Sequence, residues 1–281
     1  LIVSILKRKI AVFVLALLCI RFVMSHRASA LTKQVYITLK VNDQCIKMDT
    51  WPYSKDNRTF IPLRFVAEAL GAEVKWIEEE KKVILVSGEN TIEMILDSNE
   101  LLVNGEKKLM DAAVEKQNDR VMVPVRFITE NLECSVHWDR TTYTVLVYKD
   151  SVAVPVNCTY SRTYTDDDIL WLARIINVES PDGSIDTKVA IANVVLNRKK
   201  SAEFPNTVHD VIFDKKYCVQ FPPAHKASFK QMIPSEECVI AAKMALEGVN
   251  NIENCLYFCD VPFKSKSNDF YKKMDGMYFY R

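Results

Sequence analysis

Glu179 closes the apolar run ARIINVE (173–179) and is followed at once by Ser180, Pro181 and Gly183, residue types that end helices. Leu172, Ile176 and Glu179 recur at i, i+4 and i+7, which places them on one helix face, and Ile175 stands one turn before the carboxyl. The negative end of the helix dipole and an apolar surround both disfavour an ionised carboxylate, so the pKa of Glu179 is expected to be raised. A carboxyl that keeps its proton near neutral pH is what general acid catalysis requires. The plainer reading is a glutamate fraying off a helix end, and position alone leaves both open.

Other residues could do chemistry but are less well placed. Asp182, Asp186 and Asp260 are candidate partner acids, each as easily a surface or capping residue. Cys218, His225, Cys255 and Cys259 could be imagined as a zinc set, yet no tight C-x2-C pair is present, and neither a metal nor a cofactor is expected. Apart from Cys19 there are seven cysteines, an odd number that cannot all pair within one chain. They read as small buried hydrophobes, with room for one or two bridges.

The elements that must hold these residues follow from local signals. Thr165, followed by Asp166, Asp167 and Asp168, is an N-cap with acids on the favourable end of the dipole. The helix behind it is apolar almost all round and is expected to be the buried central one. A second helix is expected over 187–200, a loop at 204–207 (FPNT), and a third helix between Ser235 and Gly248. The aromatic tail from Cys255 onward reads as short strands.

The first half contains a repeat. Arg58, Pro62, Arg64, Phe65, Glu68, Leu70, Val74 and Trp76 recur as Arg120, Pro124, Arg126, Phe127, Glu130, Leu132, Val136 and Trp138, each 62 positions later. Two copies are too few for a solenoid. Each copy reads as a hairpin turning at 42–43 or 104–105, a helix over 63–70 or 125–132, and a second hairpin, so two tandem α+β units are expected. Residues 151–163, with Pro155, read as a linker. At the start, the basic stretch LKRK (6–9), the apolar run 10–20 and the small residues 28–30 make the three-part pattern of a secretory signal over 1–30. An uncleaved anchor is the alternative. The net charge of +1 gives no electrostatic footing for a nucleic-acid partner.

The doubled unit, over residues 33–149, resembles the copper amine oxidase N-terminal-like domain of secreted bacterial proteins. His137 is the only histidine there, so no copper cluster is implied; the resemblance implies a stalk or attachment module (31–150), with cell-envelope or spore-coat components as partners. In the second half, Glu179 at its helix end, then ANVVLNR (192–198), FPNTV (204–208), Gln220-Phe221 and Leu256-Tyr257-Phe258 follow in an order that resembles the cell wall hydrolases of the SleB/CwlJ type, the spore cortex-lytic enzymes. That resemblance implies a lysozyme-like α+β domain (164–281) acting on peptidoglycan glycan strands. It maps the catalytic acid onto Glu179 and substrate contacts onto Gln220, Phe221, Tyr257 and Phe258. With no second acid standing out, it favours lytic transglycosylation over hydrolysis. The expected protein is a secreted or cell-envelope enzyme of two α+β domains; the alternative is a wall-binding or structural protein that keeps the fold without the activity.

Overall fold

The computed structural model describes residues 36–281 except 217; the side chains of 128 and 129, and the signal expected over 1–30, lie outside the described residues. No described helix is long and apolar enough to cross a membrane.

The first half is rich in strands. The first repeat supplies β1 (Thr38–Val41), β2 (Gln44–Cys45), β3 (Tyr53–Lys55), β4 (Arg58–Pro62), α1 (Leu63–Ala69), β5 (Glu73–Ile77) and β6 (Lys82–Ser87). After an unrepeated strand, β7 (Asn90–Ile95), the second supplies β8 (Glu100–Val103), β9 (Glu106–Leu109), β10 (Glu115–Gln117), β11 (Arg120–Pro124), α2 (Val125–Leu132), β12 (Ser135–Asp139) and β13 (Thr144–Tyr148). The hairpin turns Asn42-Asp43 and Asn104-Gly105 have positive φ at both positions, the geometry that matches strand twist. Both short helices end on a left-handed residue, Gly71 (φ 76°) in one copy and its repeat equivalent Glu133 (φ 54°) in the other.

The two copies are not separate tandem units. They exchange strands. The first hairpin of copy one, β1-β2, joins the last hairpin of copy two in the sheet β12-β13-β1-β2, with β1 and β13 parallel. The converse sheet is β5-β6-β7-β8-β9, and the middle hairpins meet in β10-β11-β4-β3. In that central sheet Ile61 pairs with Val123, its own repeat equivalent, so a pseudo-two-fold axis runs between them. The ion pairs obey the same symmetry: Arg58 Nε lies 2.8 Å from Asp111, and Arg120 Nε lies 3.0 Å from Asp49. A two-stranded hairpin buries too little apolar surface to stand alone, and exchange gives each one a sheet.

The second half is helical with a small sheet. It contains α3 (Asp166–Glu179), α4 (Ile185–Lys200), α5 (Val208–Ile212), α6 (Ala227–Gln231), α7 (Glu236–Leu246), and the antiparallel sheet β14-β16-β15 formed by β14 (Tyr257–Cys259), β15 (Phe270–Met274) and β16 (Met277–Tyr280). Short 3-10 turns occupy Val156–Cys158, Pro222–His225 and Lys264–Asp269. Thr165 caps α3 with a full capping box: its hydroxyl accepts from Asp168 N at 3.1 Å and Asp168 accepts from Thr165 N at 2.9 Å.

The central helix is α4, not α3. Every residue from Thr187 to Arg198 is buried, whereas Trp171, Arg174, Asn177, Val178 and Glu179 of α3 are only partly covered. Polar letters in α4 disguised this in the sequence, and those within the buried span have partners. Lys188 Nζ reaches Glu237 at 2.9 Å, and Asn193 Nδ2 donates to the carbonyls of Val189 and Val249. Helices α3, α4 and α7 pack on one another as the core of this half. All seven described cysteines are free thiols.

Residues 36–281 form one compact unit. Within the expected linker 151–163, residues 158–160 run beside 45–47: Lys47 N donates to Cys158 O, Tyr160 N donates to Cys45 O, and Ile46 bridges to Thr159. Lys243 of α7 is 1% exposed, and its ammonium donates to Thr38 Oγ1 and to the carbonyls of Thr142 and Tyr143 at 2.8–2.9 Å. Beside it, Asp166 accepts from Lys40 (2.7 Å) and Arg162 (2.6 Å). Burial pushes the pKa of Asp166 up, but those hydrogen bonds outweigh it and hold the group below its ordinary value.

Candidate active site

Glu179 is the last residue of α3 and is partly buried. The cap residue Ser180 donates its N–H to Ile176 O, which ends the helix where the carboxyl emerges. Burial alone pushes the Glu179 pKa up; no charge or hydrogen bond from a described residue offsets it. Elsewhere the shifted carboxylates move the other way: Asp49, Glu115, Asp139, Asp166, Asp210 and Asp275 are all lowered by hydrogen bonds or cations.

The turn after Glu179 is tight. A Cβ on Gly183 would stand 2.0 Å from the Ser180 hydroxyl oxygen, so a side chain there would displace Ser180. Asp275, in the β15-β16 turn, accepts from Ser184 N (2.7 Å) and Thr187 Oγ1 (2.8 Å), which ties the small sheet to the start of α4. Asp182, Asp186 and Asp260 are exposed, and the Asp186 carbonyl is engaged by Asn251 at 2.8 Å.

Phe221 and Tyr257 pack against Arg198, a residue without an expected role, and Phe258 joins them through Phe221. Arg198, at the end of ANVVLNR, is 5% exposed. Its guanidinium lies over Phe204, Phe221 and Tyr257 at 5.0, 5.2 and 5.7 Å from the ring centroids. Its Nε donates to Leu256 O at 2.7 Å, and its Nη1 is buried with no partner among the described residues. Desolvation lowers its pKa to about 10. Phe221 is 1% exposed and tilts against Phe258, which in turn packs on Phe279. Tyr257 is partly buried, with the Lys266 ammonium 4.1 Å from its ring centroid. Gln220 is partly exposed and its amide donates to Cys218 Sγ at 3.2 Å. Cys218 is exposed and Cys255 buried, and no three His, Cys, Asp or Glu side chains converge among the described residues.

The ANVVLNR block therefore has a structural task. Asn197 Nδ2 donates to the carbonyls of Glu253 (2.8 Å) and Cys255 (2.9 Å), and with Arg198 it fastens the segment that delivers Tyr257 into β14. Charged and amide side chains in an otherwise apolar helix were the signal for this. No ring or hydrogen-bond contact joins Glu179 to the Arg198 cluster among the described residues. The link is through the frame: α3 packs on the Pro222–His225 turn that follows Gln220 and Phe221, and α4 packs on β14. The arrangement supplies one partly buried carboxyl at a helix end and a separate aromatic and cationic cluster.

Residues 40–147 match the family described as "Copper amine oxidase N-terminal domain", and residues 183–280 match "Cell Wall Hydrolase"; Glu179 lies just ahead of the second match. Two curated Bacillus cereus proteins, both named spore cortex-lytic enzyme, are 36% identical over 98 residues, covering 34% of this chain. The match spans 35% of the length of those relatives. Among solved structures, the catalytic domain of the germination-specific lytic transglycosylase SleB from Bacillus anthracis is 28% identical with a TM-score of 0.38, covering 43% of this chain and all of that one. The catalytic domain of Bacillus cereus SleB gives 28%, 0.37, 43% and 94% for the same quantities.

Proposed function

We propose that this chain is an exported peptidoglycan-cleaving enzyme that breaks the bond between N-acetylmuramic acid and N-acetylglucosamine by lytic transglycosylation, with Glu179 as its only acid. The observation that carries this reading is the Glu179 carboxyl itself: placed at the end of α3 and pushed up in pKa by burial, with no charge or hydrogen bond from a described residue offsetting it. The matches to cell wall hydrolases over residues 183–280 support the substrate class.

In this mechanism the Glu179 carboxyl gives its proton to the glycosidic oxygen, and the bond from that oxygen to the muramoyl anomeric carbon breaks. The carboxylate then takes the proton of the muramoyl 6-hydroxyl as that oxygen bonds to the anomeric carbon. Glu179 is restored and no water is consumed. One residue serves as acid and then base, so a second carboxylate is not required. Gln220 would hydrogen-bond hydroxyl or N-acetyl groups, and Tyr257 would offer a ring face. Phe221 and Phe258, closed into the aromatic core, would hold that strand in place.

Digestion of purified cortex and vegetative peptidoglycan, followed by mass spectrometry, tests the reading. The expected products carry 1,6-anhydromuramoyl ends, and Glu179→Gln releases none. Reducing muramoyl ends would contradict transglycosylation, and undiminished release by Glu179→Gln would contradict the assignment of the acid.

A further inference from the structure

The pseudo-two-fold axis of the first half relates two clefts. One, of about 240 Å³, is lined by Trp76 and Arg64 of the first copy and Arg120 of the second. The other, of about 750 Å³, is lined by Trp138 and Arg126 of the second copy and Arg58 of the first. Each residue of one trio is the repeat equivalent of a residue of the other, so strand exchange builds each cleft from both copies.

Fold maintenance accounts for part of this likeness. Pro62, Leu70 and Val83 and their equivalents Pro124, Leu132 and Val145 are buried, and Arg58 and Arg120 are held by Asp111 and Asp49. It does not account for the tryptophans. Trp138 is 43% exposed, touching Tyr143 only edge-on, and Trp76 is partly exposed. Indole surface open to water at the same place in both copies, with the Trp76 N–H donating to Glu78 and exposed Arg64 and Arg126 alongside, is more than folding requires.

The chemistry of the lining narrows the occupant. Asp56, Asp111 and Glu236 stand among the arginines of the larger cleft, and Glu78 and Asp119 among those of the smaller. Such interspersed acids work against a polyanion. Flat indole surface bordered by both donors and acceptors suits a ligand with an apolar face and a hydroxyl-rich rim, which is a pyranose ring. The geometry points to a pair of equivalent glycan-binding clefts, each a tryptophan platform flanked by arginines from opposite repeats, that hold a polysaccharide strand at two points. This assignment is independent of Glu179 and stands whether or not the chain cuts glycan.

The test is co-sedimentation of the full chain carrying Glu179→Gln with peptidoglycan sacculi stripped of attached anionic polymers by acid. Saturable binding is expected, weakened about tenfold by Trp138→Ala or Trp76→Ala and by far more in the double variant, because one cleft can partly cover for the other. Binding by a folded double variant equal to that of the parent would overturn the proposal. So would binding that needs the anionic polymers and disappears on stripped sacculi. Should the alanine variants melt early, Arg64→Glu combined with Arg126→Glu puts the same question at exposed positions, and unchanged binding there overturns it equally.

Discussion

Asn197 offers the sharpest test of how the second half is held together. Its single amide nitrogen serves two carbonyls, Glu253 O at 2.8 Å and Cys255 O at 2.9 Å, the second of these bonds fully buried. Asn197→Leu keeps the volume and removes both bonds. A buried carbonyl left without a donor costs about 1–3 kcal/mol. The partly buried Glu253 carbonyl regains some water and adds roughly 1 kcal/mol. The sum is about 2–4 kcal/mol, and at roughly 2–4 °C per kcal/mol for a chain of this size the Tm falls by about 5–15 °C. Asn197→Asp should be worse at neutral pH, since a carboxylate then faces two carbonyls. Its folded pKa would be raised, so the deficit shrinks as pH falls and the acid regains a proton to donate. Thermal denaturation followed by circular dichroism reads both effects. A Tm for Asn197→Leu within about 1 °C of wild type, or an Asn197→Asp deficit that does not change with pH, would refute the account of this helix as the anchor of β14.

Three further outcomes follow from the same geometry. Gly183→Ala should lower glycan cleavage by displacing the Ser180 hydroxyl 2.0 Å away, and Gly183→Ala combined with Ser180→Ala should recover most of the loss in a double-mutant cycle. Glu179→Gln should melt at a higher temperature than wild type at neutral pH, because a carboxyl with a raised folded pKa loses stability as pH rises through that value; the gap should close as pH falls towards the ordinary glutamate range. Lys243, pushed down by burial to about 7, should make the chain more stable as pH climbs from about 7 until thiols and tyrosines ionise, since the unfolded lysine still holds its proton there; Lys243→Met should flatten that rise in pH-dependent denaturation curves.

The sequence disclosed what is local. Thr165 with its acidic followers is a capping box, the two Asn-led turns have the positive φ their composition implies, and residues 73–87 form the hairpin their alternation implies. Strand exchange was not legible, because repeat identity says nothing about which copy a hairpin pairs with; that is decided by long-range burial across Ile61 and Val123. The central helix was misplaced for a related reason. Lys188, Asn193, Asn197 and Arg198 make α4 look less deeply buried than α3 until Glu237 and the backbone of 249–256 are seen to satisfy them. Short elements such as α5 and α6 carry too few residues for a period to show. At the candidate site the position of Glu179 was readable from its helix end, whereas the organising role of Arg198 depends on three rings distant in sequence.

The central claim is that partial burial at the end of α3 raises the Glu179 carboxyl above its ordinary pKa and so suits it to donate a proton. Titrating its labelled side-chain carboxyl carbon by NMR, in a chain shown to cut peptidoglycan, measures this directly. The account predicts a midpoint above the ordinary glutamate value, tracking the fall of activity on the alkaline side. A midpoint at that ordinary value, in protein still active at neutral pH, would contradict it.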